Sequence, residues 1–266
     1  MTASLHPGGV HPSAVVDPGA QLAADVRVGP FCVIGPQVVL APGVILHSHV
    51  VILGDTRVGP GTEVHPFAVI GGIPQDLKYA GEPTRLRIGA RNRIREHVTI
   101  NLGTAGGGGE TRIGDDGLFM AGCHVAHDCQ IGDRVIVVNS SAVAGHCVIE
   151  DDVIIGGLCG IHQFVRIGQG AIIGAVTMVT RDVIPHGLVQ GPRGVLDGLN
   201  LIGLQRKGLD RTDINALRAA FSALKDEDGA FVDRARRVLD GSDSAHVRQM
   251  LEFILGPSDR QFLIPQ

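Results

Sequence analysis

Large aromatic rings are almost missing from this chain: 266 residues hold no tryptophan, one tyrosine and eight phenylalanines, 3% in all. That argues against an interior wide enough to need such rings and for a narrow core of branched aliphatics. No apolar run reaches the roughly 20 residues needed to span a bilayer. Residues 1–10 lack the apolar core of a secretory signal, so the expected compartment is the cytoplasm. An excess of positive charge is missing too. The net charge is −4, from 27 acidic and 23 basic residues, which argues against nucleic acid as the main partner. Five cysteines form no Cys-x-x-Cys pair and no secreted-type framework. With 44% hydrophobic residues the chain is not a disordered one.

What is plentiful is turn chemistry, in 38 glycines and 14 prolines. These punctuate a six-residue repeat. An aliphatic residue recurs at every sixth position from Val10 to Ile70, from Ile88 to Ile100 and from Ile113 to Val179. Of these 26 hexads, 25 begin with Val, Ile or Leu, Phe119 being the exception. In 24 of them a small or slender residue follows four positions later. Period six is neither helical nor a plain two-sided strand. It fits a mainly β fold, a parallel β-helix whose coils are triangles of three hexads, so that residues 18 apart stack at roughly 4.8 Å. Cys32, Cys123, Cys129, Cys147 and Cys159 all take the small inward position. They read as core thiols and not as a metal or redox site.

Two segments interrupt the repeat. Residues 76–87 replace two hexads without changing the frame, and residues 106–112 shift it by one. Insertions in solenoids emerge as loops on one face, often the binding face, and loops are expected over 73–87 and 104–112. The glycine run 106–109 lacks the Gly-Lys-Ser/Thr ending and the following helix of a phosphate-cradling loop. The repeat fades after Val183. A β-helix over residues 1–190 and a helical domain over 191–266 are expected. The helices are placed over about 195–207, after a cap at Thr212 or Asp213, and around 231–239 and 245–255.

The frame also places the polar residues. His127, Gly145 and Gln163 form one outward column, and Asp128, His146 and Phe164 the column beside it. His124 and His162 take non-core positions nearby. The register thus predicts a solvent-facing ridge of four histidines and a carboxylate. His127 beside Asp128 suits a general base whose imidazolium a carboxylate stabilises, and Gly145, having no side chain, would let a reacting carbonyl approach its backbone N–H as an oxyanion donor, though the register does not itself free that N–H.

Several motifs carry a narrower resemblance over nearly the whole chain. They are Gln75-Asp76-Leu77-Lys78-Tyr79-Ala80-Gly81-Glu82-Pro83-Thr84, Arg91-Asn92-Arg93-Ile94-Arg95-Glu96, Ala126-His127-Asp128-Cys129, Ala144-Gly145-His146 and Ile161-His162-Gln163-Phe164. With them the sequence resembles the UDP-N-acetylglucosamine acyltransferase family of the hexapeptide-repeat transferases. The resemblance implies a left-handed β-helix, homotrimers with the site between adjacent prisms, and no metal or bound cofactor. It implies transfer of a 3-hydroxyacyl chain from acyl carrier protein to the 3-hydroxyl of UDP-N-acetylglucosamine, the first step of lipid A biosynthesis. By the same resemblance His127 is the base, Asp128 its support and Gly145 the oxyanion donor. Gln75, Asp76 and Lys78 contact sugar or acyl group, while His124, His146, His162 and Gln163 line the cleft. Asn200 and Arg206 match positions for the nucleotide end, with Lys207 where a second arginine is common. Ala175 matches the position that limits acyl length, and its methyl implies a medium-length chain. Asn101 stands where a histidine is frequent, and Ile202 where a glutamate can occur. Two rivals stay open. One is the same transfer to a 3-amino sugar nucleotide, and the other is a zinc enzyme like the gamma-class carbonic anhydrases, with three histidines meeting between subunits.

Overall fold

A computed structural model describes residues 9–225 and 229–265. Residues 1–8, most of the stretch read for a signal core, lie outside the described residues. Short strands, mostly of two residues and all but the last parallel, build a triangular prism with eleven strands on face A, nine on face B and eight on face C. Pairing follows the hexad count: His124 and Val125 pair with Ala142 and Val143, eighteen residues on. The second residue of each pair is the leading aliphatic, and Ile52, Ile70, Ile100 and Val143 are wholly buried. Each such side chain contributes roughly 1.5–3 kcal/mol through lost apolar surface. All five cysteines are buried and free. Phe119 fits the narrow interior because Gly117 lies beneath it, where a Cβ would stand 2.9 Å from its ring.

The corners determine where polar side chains project. Three residues after a leading aliphatic the chain turns through left-handed φ, 59° at Asp128, 63° at His146 and 65° at Phe164. Asp and His tolerate that region better than most residues.

The two insertions leave the prism at the same corner, between faces B and C. Val58 pairs with Ile88, thirty residues on instead of eighteen, and Ile88 with Ile113, twenty-five on. Strand pairing resumes at Arg85 and at Glu110. Residues 85–87 and 110–112, expected in loops, are therefore strand, because their backbone completes face C.

Beyond Val179, strand Gly187–Gln190 joins face A and Val195–Leu199 pairs antiparallel to it. This corrects the helix expected from about 195. Leu196 and Leu199 are buried from the strand, and α1 spans only Leu201–Arg206. Helix α2 (Arg211–Lys225) is capped by Asp210, whose carboxylate accepts the Asp213 N–H at 2.8 Å, and not by Thr212 or Asp213. Helices α3 (Phe231–Asp240) and α4 (Ala245–Leu255) complete the bundle. Arg166 ties it to the prism. Its guanidinium bonds the buried Asp182 at 2.9 Å, donates to the carbonyls of Phe253 and Pro257, and lies 4.4 Å over the Phe253 ring.

Candidate active site

The B–C corner brings His127, Asp128, Gly145 and His146 together. His127 Nδ1 lies 2.8 Å from Asp128 Oδ2. The Asp128 side chain is fully buried, so the ridge expected to face solvent is roofed at its carboxylate. The roof is the second insertion. Thr104 donates its N–H to Asp128 Oδ1 at 2.8 Å and its hydroxyl to Oδ2 at 2.6 Å. A single 3-10 turn, Ala105–Gly107, follows. From below, Thr111 Oγ1 accepts the Asp128 N–H at 2.8 Å. A buried carboxylate is costly unless hydrogen-bonded, and here three donors meet its two oxygens. Asp128 as an acceptor at Nδ1 leaves His127 Nε2 without a proton when the ring is neutral, the form a base requires.

Gly145 packs directly under that imidazole. A Cβ there would stand 2.6 Å from Cε1 and 2.8 Å from Nε2 of His127. Its N–H has no hydrogen-bond partner among the described residues. The same corner position leaves the His127 and Gln163 N–H groups unpartnered too, but only glycine adds no side chain there.

His146 is edge-on to His127, centroids 5.0 Å apart, and stacks on Phe164 at 4.4 Å. Burial lowers its pKa, which Asp128 partly opposes. His124 accepts or donates at 2.7 Å with Thr99 Oγ1, and burial, then the charge of His127, lowers its pKa. Both shifts disfavour added positive charge beside His127. His162 is exposed, its Nδ1 2.8 Å from Arg260 Nη2, and Gln163 is exposed beside it.

The first insertion supplies Gln75, Asp76 and Lys78. Asp76 Oδ1 accepts the Lys78 N–H at 3.0 Å, and both side chains act electrostatically on His146. Glu82 links the two loops, accepting from Ala80 N at 2.8 Å and Ala105 N at 3.2 Å. Asn101, at the same corner, donates to the Ile73 carbonyl at 3.1 Å, while its buried Oδ1 has no partner among the described residues.

Three residues lie apart. Asn200 and Arg206 line a groove of about 630 Å³ on face A, with Lys207, His186, Asp152 and Ile202. Asn200 also caps α1, accepting from Gly203 N at 2.9 Å and donating to Gly170 O at 3.0 Å. Lys207 is paired to Asp152 at 2.9 Å. Ala175 is exposed at the A–B corner. In one chain, none of the three shares the His127 corner.

The hexad count passed over Thr104, Thr111, Gly107 and Arg260. Thr104 occupies the small inward position of its hexad, so its frame gives no sign that it leaves the prism to hold Asp128. Among the described residues, two groups bring metal-capable donor atoms within 4.8 Å of one another: His127, Asp128 and His146, and, elsewhere, His47, Glu63 and His65. In the first, Asp128 Oδ2 is already engaged by His127 and Thr104, which suits acid–base work better than ligation.

Residues 182–263 match a family described as UDP-N-acetylglucosamine O-acyltransferase, domain 2. A protein of Paracoccus denitrificans named acyl-[acyl-carrier-protein]–UDP-N-acetylglucosamine O-acyltransferase is 66% identical over 202 residues, 76% of this chain and 77% of its own. One of the same name from Rhizobium johnstonii is 44% identical over 257 residues, 96% of this chain and 94% of its own. A crystal structure of a UDP-N-acetylglucosamine acyltransferase superposes with a TM-score of 0.94 at 41% identity, covering 97% of this chain and all of the other. The UDP-N-acetylglucosamine acyltransferase of Campylobacter jejuni superposes at 0.91 and 36% identity, over 97% and 100% of the two chains. Rigid superposition preserves hand, so the coil is left-handed, as theirs is.

Proposed function

From the chain's place in the acyl-[acyl-carrier-protein]–UDP-N-acetylglucosamine O-acyltransferase family, to which it belongs, we propose a mechanism centred on His127. The chain is an acyltransferase of lipid A biosynthesis. Its donor is a 3-hydroxyacyl thioester on acyl carrier protein and its acceptor the 3-hydroxyl of UDP-N-acetylglucosamine. His127 Nε2 takes the proton from that hydroxyl, and the oxygen attacks the thioester carbonyl. Asp128 stabilises the imidazolium that forms. The Gly145 N–H donates to the oxyanion of the tetrahedral intermediate. Collapse breaks the carbon–sulfur bond, and the proton on His127 passes to the departing thiolate. The ester and the free carrier thiol are released. The single observation that carries this reading is His127 Nδ1 bound at 2.8 Å to a fully buried carboxylate, with Gly145 under the ring.

Gln75, Asp76 and Lys78 hold the sugar or acyl group beside His146, and His124, His162 and Gln163 line the remaining cleft. Asn200 and Arg206 take the nucleotide end, where a guanidinium suits phosphate oxygens. Their groove lies on face A, away from the B–C corner. A homotrimer would bring the groove of one prism to the corner of the next. The enzyme works in the cytoplasm. No described helix is long and apolar enough to cross a membrane.

The test is transfer by the purified protein, with UDP-N-acetylglucosamine and a ladder of 3-hydroxyacyl carrier-protein donors. Wild-type turnover that persists undiminished in His127→Ala would overturn the mechanism. Mixing inactive His127→Ala and Arg206→Ala chains under subunit exchange tests the shared site, which predicts partial recovery. A second reading rests on Asn101, whose unpartnered Oδ1 would accept from an amino group as well as from a hydroxyl. Competition between the 3-hydroxy and 3-amino sugar nucleotides separates the two.

A further inference from the structure

The other donor cluster lies at the A–B corner, in the first half of the prism. His47 and His65 follow paired strands, Leu46 beside Val64, and so occupy the same place on successive coils. Their rings face each other at 4.6 Å, 21° from parallel. Glu63 points outward from face A and reaches both. Its Oε1 is 2.7 Å from His47 Nε2 and 3.7 Å from His65 Nε2. The three donor atoms all lie within 4.8 Å of one another. All three side chains are partly buried.

We propose that His47 Nε2, Glu63 Oε1 and His65 Nε2 form a binding site for a divalent transition metal of the zinc class, which staples two coils. Zinc takes nitrogen and carboxylate oxygen at about 2.0–2.2 Å in a tetrahedron, which puts ligand atoms roughly 3.4 Å apart. The two separations to Glu63, 2.7 and 3.7 Å, straddle that value. A modest tilt of the stacked rings toward Glu63 brings both lone pairs onto one ion. Zinc has no d-electron preference to resist such adjustment.

A carboxylate stands near the far side of one ring. Glu96, held by Arg95 through two bonds of 3.0 Å, has its Oε1 3.6 Å from His65 Nδ1, just beyond hydrogen-bond reach, so a small tilt of the ring would close the contact. A ligating imidazole commonly gives its other N–H to a carboxylate, which fixes its tautomer and strengthens its lone pair. A water would complete the tetrahedron. This site is at a different corner from His127, and the mechanism does not use it.

The test uses the full-length protein, stripped with EDTA, exchanged into chelator-free buffer and titrated with Zn²⁺ at pH 7.5 against a chromogenic chelator. Wild type and His127→Ala should share one zinc site per chain. His47→Ala and His65→Ala should weaken it at least a hundredfold, and Glu96→Gln roughly ten- to a hundredfold. Zinc should raise the thermal midpoint of wild type and leave that of His65→Ala unmoved. Circular dichroism checks the fold of each variant, and Glu63→Gln, which keeps the side-chain shape, supplies an independent loss of a ligand charge. Acyl transfer should persist in His47→Ala. Wild type that binds no zinc, or His47→Ala and His65→Ala with wild-type affinity, would overturn the proposal.

Discussion

Gly107 lies against the Asp128 carboxylate so closely that a Cβ on it would overlap the carboxyl group. The glycine-rich insertion therefore works as a lid on the acid that orients His127. Gly107→Ala should displace that lid, lower acyl transfer at least tenfold and leave the prism folded. The readouts are kcat and the far-UV spectrum; an unchanged kcat would remove the lid from the mechanism.

Loss of the base should be the largest single effect. His127→Ala is expected to lower kcat/KM by about 10²–10⁴, the usual worth of a positioned general base. The thermal midpoint should stay near wild type, because the ring lies at the corner and not in the prism.

Thr104→Val deletes the hydroxyl that donates to Asp128 Oδ2 at 2.6 Å and keeps the backbone donor. A hydrogen bond to a charged group contributes roughly 1.5–3 kcal/mol. kcat should fall about tenfold with KM little altered, and Thr104→Ser should restore it. If serine fails to rescue, Thr104 acts by shape alone.

Gly145→Ala would put a methyl 2.6 Å from His127 Cε1 and force the imidazole off its place. A loss of about 10² in kcat is expected, read from steady-state kinetics with each donor. Ala175→Gly, at the opposite edge of face B, should leave kcat intact and shift preference toward longer acyl chains. Equal turnover across the donor ladder by both enzymes would discard Ala175 as a length determinant.

His186 is pushed down to about 4 from an ordinary 6.5, first by burial, then by the charges of Lys207 and His246, with Asp152 opposing. The unfolded chain binds the proton more readily, so stability is complete above pH 6.5 and is lost as pH falls toward 4. The full loss is about 3 kcal/mol at 1.36 kcal/mol per pH unit. Urea midpoints from pH 4 to 8 should drop less steeply in His186→Gln. Parallel slopes would show that the acid sensitivity lies in other groups with lowered pKa values, among them His65, His124 and His146, and not in His186.

Much of this was legible in the chain because the six-residue period is local. An inward Val or Ile every sixth position dictates its own strand and corner, and eighteen-residue stacking then places Gly145 under His127 and His146 beside Asp128. The cysteines were legible for the same reason. Legibility fails where the period stops. Val195–Leu199 has helix-compatible spacing, yet it is drawn into face A by pairing with Gly187–Gln190.

The sequence by itself determined the prism, its register and the His127–Gly145–Gln163 column, since each depends on neighbours a fixed number of residues away. Only the tertiary structure decided that both insertions leave at the B–C corner, that Thr104 and Gly107 close over Asp128, and that Asn200 and Arg206 lie on another face. Those contacts join residues 21 or more positions apart through irregular backbone. No repeat specifies the path of such a segment, which is fixed by the burial and hydrogen-bonding of the carboxylate it covers.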